Sequence, residues 1–392
     1  MSIIWWALLF IAAFWIIVLY LNRSFDLKKR GITIESGMLM WRTKRGLSFI
    51  DSVAKSSKGG WRAFGTAAAI IGFILMIIFF IFLALNAIII VQRPEISVPG
   101  ARFVIPGVTI PLVYGLIAIF SVLVVHEFAH GFVTRAQDLR TKSIGLLLFL
   151  VIPGAFVEPD EKQLKKAPIS KRLRVFGAGP FANILFAFIS LSILMLALSP
   201  NPGVYIFDTV ENGPSENILL PADRLLQIND TPITIAEDFD EFMKNTREND
   251  NLEVLTDRGT HFITLGQHPE NENRGYLGVF RISAISRWRF VNPFFAVYYT
   301  YEELFRGSPV LHRYCYDAYL PWALLRLLEW MFFLNLGIGL FNLLPTKPLD
   351  GGYIVAGVVE RVTSARTARY VSYVLGVVVL FFLIINFVPM IW

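Results

Sequence analysis

Residues 112–134 have the sequence LVYGLIAIFSVLVVHEFAHGFVT, an apolar run that contains His126, Glu127 and His130. The run is long enough to cross a bilayer as one helix, which takes roughly 20 residues. Residues four apart share a helix face, so the two imidazoles can meet one metal ion with the carboxylate beside them. An unpaired ionisable group at membrane depth costs at least about 2.5–3.5 kcal/mol. The stretch therefore predicts a membrane helix that carries a metal site.

The composition agrees with a membrane protein, because 55% of the 392 residues are hydrophobic and only 17% are charged, and the mean hydropathy is +0.56. The single cysteine, Cys315, excludes a disulfide framework or a zinc finger. The net charge of +6 comes from basic residues in the loops beside apolar runs. Such residues set membrane topology, so we expect no nucleic-acid partner.

Six apolar runs predict six transmembrane helices in an α-helical polytopic protein. They cover residues 3–21, 66–91, 112–134, 177–198, 318–344 and 371–391. The loop after the first run is rich in Lys and Arg, which places it in the cytoplasm. Alternation then puts the N-terminus, the C-terminus and the block at 202–283 outside, in an integral protein of the cell membrane.

Two shorter apolar pieces, 103–112 and 144–157, are broken by proline and glycine. They are typical either of hairpins that dip into the membrane interface or of plain interfacial loops. Residues 202–283 hold most of the Asp, Glu and Asn and predict a soluble α+β domain with one helix near 236–245. Residues 284–317 predict an amphipathic segment on the membrane surface.

A zinc hydrolase needs a third protein ligand. Residues 341–352, FNLLPTKPLDGG, supply a carboxylate, Asp350, at the end of the fifth span. The two prolines before it predict an extended strand, and Gly351 and Gly352 after it permit a close backbone approach. An ordinary turn exposed to water is the alternative, because Asp-Gly is common there.

The pair of motifs, HExxH and NxxPxxPxDG, resembles the site-2 protease family of intramembrane zinc metalloproteases, in its PDZ-containing prokaryotic type. The resemblance implies Zn²⁺ bound by His126, His130 and Asp350, with Glu127 as catalytic base. It also implies that Asn342 and Pro345 handle the substrate backbone.

Residues 177–183, GAGPFAN, are similar to a GPxxN element of the same family. The resemblance implies that Asn183 donates to the oxyanion of the tetrahedral intermediate. Packing of helices through small residues is the alternative for the glycines. Residues 213–233 resemble a PDZ pattern, which implies an extended peptide ligand bound by strand addition; a simple spacer is the alternative.

The sequence thus predicts regulated intramembrane proteolysis of membrane-protein substrates that have a transmembrane helix. An inactive relative that binds or chaperones membrane proteins and a metal transporter are the rival hypotheses. Five regions are predicted in chain order: an N-terminal anchor and basic loop, a first part of the membrane core, the PDZ-like domain, the amphipathic segment and a second part of the core. Their ranges are 1–65, 66–200, 201–283, 284–317 and 318–392.

Overall fold

The computed structural model describes residues 3–25, 27–35, 38–93, 104–149, 152–269, 271–283 and 315–390. Its contacts divide the chain into two units. The first unit comprises Met1–Ser190 and Glu329–Trp392, and the second comprises Leu191–Leu328. The predicted amphipathic segment lies, as far as residue 314, outside the described residues. The five-region division stays a prediction.

Helices dominate the described part of the chain. In chain order they are α1 Ile3–Phe25, α2 Leu47–Ser56, α3 Lys58–Gln92, α4 Leu112–Ala136, α5 Glu161–Lys166, α6 Ile169–Leu196, α7 Ala236–Lys244, α8 Trp322–Asn342, α9 Asp350–Val362 and α10 Ala365–Phe387. Short 3₁₀ helices cover Leu27–Arg30 and Val388–Met390.

Among the described residues, five helices, α3, α4, α6, α8 and α10, are long and apolar enough to cross a membrane. They correspond to five of the six predicted spans. The first apolar run forms α1, within which Ala12–Phe25 is a shorter apolar helix, so the exact number of spans stays a prediction. Large apolar side chains such as Ile70, Ile78 and Leu380 lie exposed on these helices, as expected of a surface that faces lipid.

Small residues let the spans approach closely. A Cβ added at Gly177 of α6 would lie 2.9 Å from the backbone of Ala68 in α3. This is the close packing through glycine that membrane helices use. Pro180 lies inside α6 and has no N–H to donate to the carbonyl of Phe176, so the helix lacks one backbone hydrogen bond there.

A four-stranded antiparallel sheet accompanies the helices of the first unit, in the order β1-β2-β3-β4. Its strands are β1 Ile32–Glu35, β2 Met38–Thr43, β3 Thr141–Phe149 and β4 Ile152–Pro159. The hairpin predicted at 144–157 is confirmed by the β3–β4 pairing. The hairpin predicted at 103–112 is reduced, in residues 104–111, to a turn with one bridge between Pro106 and Ile110.

The basic loop after α1 also contributes to this sheet, although its charge predicts only a cytoplasmic loop. Its strands β1 and β2 pair with each other, and β2 pairs with β3 from Met38 opposite Phe149 to Thr43 opposite Ile144. We had assigned that loop only a role in topology.

Helix α2, in the same loop, packs against α4. Ile50 is fully buried, and its side chain lies 3.1 Å from the position of a Cβ added at Gly131, directly after His130. Phe49 makes edge contacts with Phe128 and Phe132. The loop therefore supports the helix that carries HExxH.

The second unit contains a sheet with the path β10-β9-β7-β6-β13, with β8 paired to β7. Its strands and those of two small two-stranded sheets are β5 Leu198–Pro200, β6 Val204–Thr209, β7 Arg224–Ile228, β8 Thr231–Pro232, β9 Asn251–Thr256, β10 Gly259–Thr264, β11 Gly266–His268, β12 Asn271–Tyr276, β13 Val279–Ser283 and β14 Tyr316–Ala318. Its core includes Ile206, Leu225, Ile228 and Ile263 and is closed by Phe239 of α7. These strands and helix α7 agree with the α+β content predicted for residues 202–283; the bounds of the domain and its PDZ character stay predictions.

Candidate metal centre

Helix α4 places His126 and His130 on one face, and the start of α9 brings Asp350 to them. His126 Nε2 lies 3.1 Å from Asp350 Oδ2, and His130 Nε2 lies 3.3 Å from the same oxygen. The two Nε2 atoms are 3.1 Å apart. All three side chains are largely buried. We call these three residues the His-Asp cluster.

These separations fit a single tetrahedral ion. Bond lengths of about 2.0–2.2 Å from zinc to imidazole nitrogen or carboxylate oxygen require ligand atoms to lie about 3.3–3.5 Å from one another. The observed 3.1–3.3 Å are close to that requirement without any movement of the backbone. Two imidazoles and one carboxylate also match the three-ligand sets of catalytic zinc sites, which leave a fourth position open.

Asp350 is the first residue of α9, so our prediction that it lies on an extended strand is wrong. The preceding Leu349 is extended, with φ −68° and ψ 155°. The glycines after Asp350 behave as predicted. A Cβ on Gly351 would overlap the Leu343 carbonyl, and one on Gly352 would lie 2.5 Å from the Lys347 nitrogen. Glycine is thus required because the helix starts directly against the preceding turn.

Helix α6 lies against the other side of the two histidines. A Cβ on Gly179 would lie 2.7 Å from His126 Nε2 and closer still to His130 Nε2, so only glycine leaves room for the cluster. His130 Nδ1 donates to the Val175 carbonyl at 2.7 Å. Asn183, which is fully buried, places Nδ2 3.2 Å from His126 Nδ1. The predicted oxyanion donor therefore contacts a proposed ligand.

Glu127 is oriented by the four-stranded sheet. The Val157 N–H of β4 donates to Glu127 Oε2 at 2.8 Å. A carboxylate has two oxygens, and this hydrogen bond uses one of them. The other oxygen remains available to the space beside the His-Asp cluster.

A cavity of about 290 Å³ opens beside the cluster. It is lined by His126, Glu127, His130, Thr134, Val157, Pro159, Val175, Phe176, Asn342, Pro348, Leu349 and Asp350. Of the two predicted substrate-binding residues, Asn342 lines this cavity, whereas Pro345 is buried and does not. Val157 and Val175 were missed because they act through backbone atoms, which leave no signal in the sequence.

Comparison with known proteins identifies the family. Residues 114–385 match the model of Peptidase family M50, and this match contains all the residues of the candidate centre. The chain belongs to Peptidase family M50, a family of membrane metalloproteases.

The chain is also similar to individual proteins. It is 29% identical over 374 residues to an uncharacterized protein of Methanocaldococcus jannaschii, covering 94% of this chain and 88% of that protein. It is 22% identical over 254 residues to the regulator of sigma-W protease RasP of Bacillus subtilis, covering 58% and 60% of the two chains. It is 23% identical over 137 residues to a membrane-bound transcription factor site-2 protease homolog of Arabidopsis thaliana, covering 33% and 26%.

Proposed function

We propose that this protein is an intramembrane zinc metalloendopeptidase that hydrolyses peptide bonds in or near transmembrane segments of other proteins. One observation carries the proposal: three ligand atoms from His126, His130 and Asp350 lie 3.1–3.3 Å from one another beside a cavity. Membership of Peptidase family M50 and the similarity to two membrane proteases support the reaction class.

The ligand chemistry favours zinc. Two neutral imidazoles and one carboxylate suit zinc, and the described part of the chain offers no thiolate at the site. Bound zinc would lower the pKa of a coordinated water and polarise the scissile carbonyl. His126, His130 and Asp350 would hold the ion, and Gly179 leaves the space for it.

Glu127 is proposed as the general base. The Val157 N–H fixes its orientation, and its second oxygen can take the proton of the attacking water and return it to the leaving amine. Asn342, which lines the cavity, is proposed to contact the substrate backbone, with Pro345 shaping the turn behind it. A helical peptide hides its carbonyls in hydrogen bonds, so the substrate must unwind before it reaches Glu127.

The proposal also includes the membrane topology of the chain and a role for the second unit. The basic loop with β1, β2 and α2 is cytoplasmic, both chain ends lie outside, and the metal centre lies towards the cytoplasm. The sheet of the second unit is an extracytoplasmic PDZ-like domain that binds an extended peptide at a strand edge.

Replacement of Glu127 by Gln tests the proposal in the purified full-length protein with a single-span model substrate. Wild type should contain one zinc and cleave the substrate. The Glu127→Gln variant should keep the zinc and lose about 10²- to 10⁴-fold in cleavage rate, because only proton transfer is removed. Wild type that binds zinc and cleaves nothing would favour the inactive relative, and equal cleavage by the two proteins would exclude the protease.

A further inference from the structure

In both histidines Nε2 faces Asp350. Helix α6 contacts the other ring nitrogen, Nδ1, of each. Val175, Gly179 and Asn183 are spaced four apart, so they share one face of α6. The Val175 carbonyl accepts from His130 Nδ1, and the Asn183 amide lies against His126 Nδ1. Gly179, between them, allows the two helices to approach.

The His130 contact fixes the position of a proton. A carbonyl oxygen only accepts, so His130 Nδ1 must carry the hydrogen. In a neutral imidazole the lone pair is then on Nε2, the atom that faces Asp350 at 3.3 Å. The main chain of α6 therefore selects the tautomer of His130 that can bind a metal.

In the structure, the Asn183 amide presents its nitrogen, a donor, to His126, whereas Val175 presents an acceptor to His130. Its Nδ2 faces His126 Nδ1 at 3.2 Å, which would require a lone pair on Nδ1 and a hydrogen on Nε2. Its Oδ1 is buried and has no hydrogen-bond partner among the described residues. A buried acceptor without a partner costs about 1–3 kcal/mol. This orientation therefore opposes metal binding and leaves a polar atom unpaired.

A rotation of the amide by 180° removes the conflict with metal binding. The two ends of a carboxamide have the same shape, so Oδ1 would take the position 3.2 Å from His126 Nδ1 and accept its hydrogen. The lone pair of His126 would then be on Nε2, which lies 3.1 Å from Asp350 Oδ2. Histidines that bind metals generally donate their second N–H to such an acceptor.

We infer that Asn183 is a positioning residue for the metal centre: its Oδ1 accepts from His126 Nδ1 and, together with the Val175 carbonyl, presents both Nε2 lone pairs to one ion. This inference rests on the proposed metal site. It replaces the role of oxyanion donor that the sequence suggested, because a buried amide engaged with an imidazole is not directed at substrate.

Two substitutions of nearly equal size separate the two roles. Asn183→Asp keeps an acceptor for His126 but has no N–H to donate, whereas Asn183→Leu has neither. Asn335→Leu is the matched control, because Asn335 is also fully buried in a span and its amide donates to Ser121 and Met331 instead.

The measurement is the affinity of the full-length protein for Zn²⁺ and Co²⁺, by competition with a chelator of known affinity, with substrate cleavage as a second readout. We expect Asn183→Leu to weaken metal binding about 10- to 100-fold, as the loss of such supporting contacts does. Asn183→Asp and Asn335→Leu should stay within about threefold of wild type, and Asn183→Asp should still cleave substrate.

Three results would overturn the inference. These are unchanged affinity in Asn183→Leu, equal loss in Asn183→Leu and Asn335→Leu, and loss of cleavage with intact metal binding in Asn183→Asp, which would restore the donor role. Absence of metal binding by wild type itself would instead overturn the proposed function.

Discussion

The membrane helices of the first unit and the six-stranded sheet of the second differ in where large apolar side chains are exposed. In the helices, Asn183, Asn335 and Asn386 are fully buried, while Ile70 and Leu380 are exposed. In the sheet, Ile228 and Leu225 are fully buried, and polar strand residues alternate outward. The helices thus have the surface expected in lipid, and the sheet has the buried apolar core expected in water.

The difference shows which interactions hold each part together. The sheet gains stability from removing apolar surface from water. The membrane helices gain little from that effect, because lipid is as apolar as leucine, and they rely on close packing at glycine and on polar contacts between helices. The His-Asp cluster fits the second kind of interior, where fully buried amides such as Asn335 and Asn386 also occur.

Ile228→Ala should give the largest effect on stability. The side chain is fully buried in the core of the second unit, so its truncation should cost about 2–5 kcal/mol in that unit. Proteolysis of the full-length protein under increasing urea would measure it. Phe262→Ala, in the same sheet but 75% exposed, is the control, and equal losses would contradict a water-driven core.

Gly179→Ala should weaken metal binding about 10- to 100-fold, since the overpacking of a filled site costs about 1–3 kcal/mol. The new methyl group would lie against both Nε2 atoms. Metal affinity by chelator competition checks this. Gly337→Ala is the matched control because nothing in the described structure lies within 4 Å of its added Cβ; similar losses in both variants would refute the steric explanation.

Asn386→Leu should have a smaller effect, about 0.6–1.7 kcal/mol. Asn386 donates to the Leu83 carbonyl at 3.0 Å and accepts from Asn86 at 2.7 Å, which joins α10 to α3. Unfolding in mixed micelles of increasing SDS content gives the free energy. Leu380→Ala, on the exposed face of α10, should cost less; a larger cost there would reverse the comparison.

Asp138→Asn should have the smallest effect, below about 1 kcal/mol. Asp138 follows α4 and pairs with Lys58 and Arg62, each at 2.7 Å, and the hydrogen bond from Lys58 lowers its pKa. Its contribution to stability is therefore present above the unfolded pKa of about 4 and is lost as the pH falls through the lower folded value. The free energies of unfolding of wild type and variant in SDS should differ more at pH 7 than at pH 3; a larger difference at pH 3 would show the opposite linkage.

Much of this architecture could be predicted from the sequence, because lipid demands long apolar runs. Five spans, the β3–β4 hairpin and the soluble α+β block follow from hydropathy and turn residues. The spacing of His126 and His130 places both on one helix face. Asp350 lies 220 positions from His130 in the sequence. The prediction that the two meet came from the resemblance of the motifs to a known family.

Other features could not be predicted, for physical reasons. Strands β1 and β2 are stabilised by pairing with β3, a contact distant in sequence that outweighs the charge of the loop. The prolines near Asp350 suggested an extended strand, yet Gly351 and Gly352 let a helix begin there. The contacts of Val157 and Val175 with the site use main-chain atoms, which any residue except proline at 157 would provide.

The separation of the ligands along the chain also has a consequence for timing. His126 and His130 are synthesised long before Asp350, and α9 must dock on α4 before a complete set of ligands exists. A nascent chain that has inserted only its first helices holds two imidazoles without their carboxylate. Under the proposed function, the chain therefore has no complete metal centre until α9 has docked on α4.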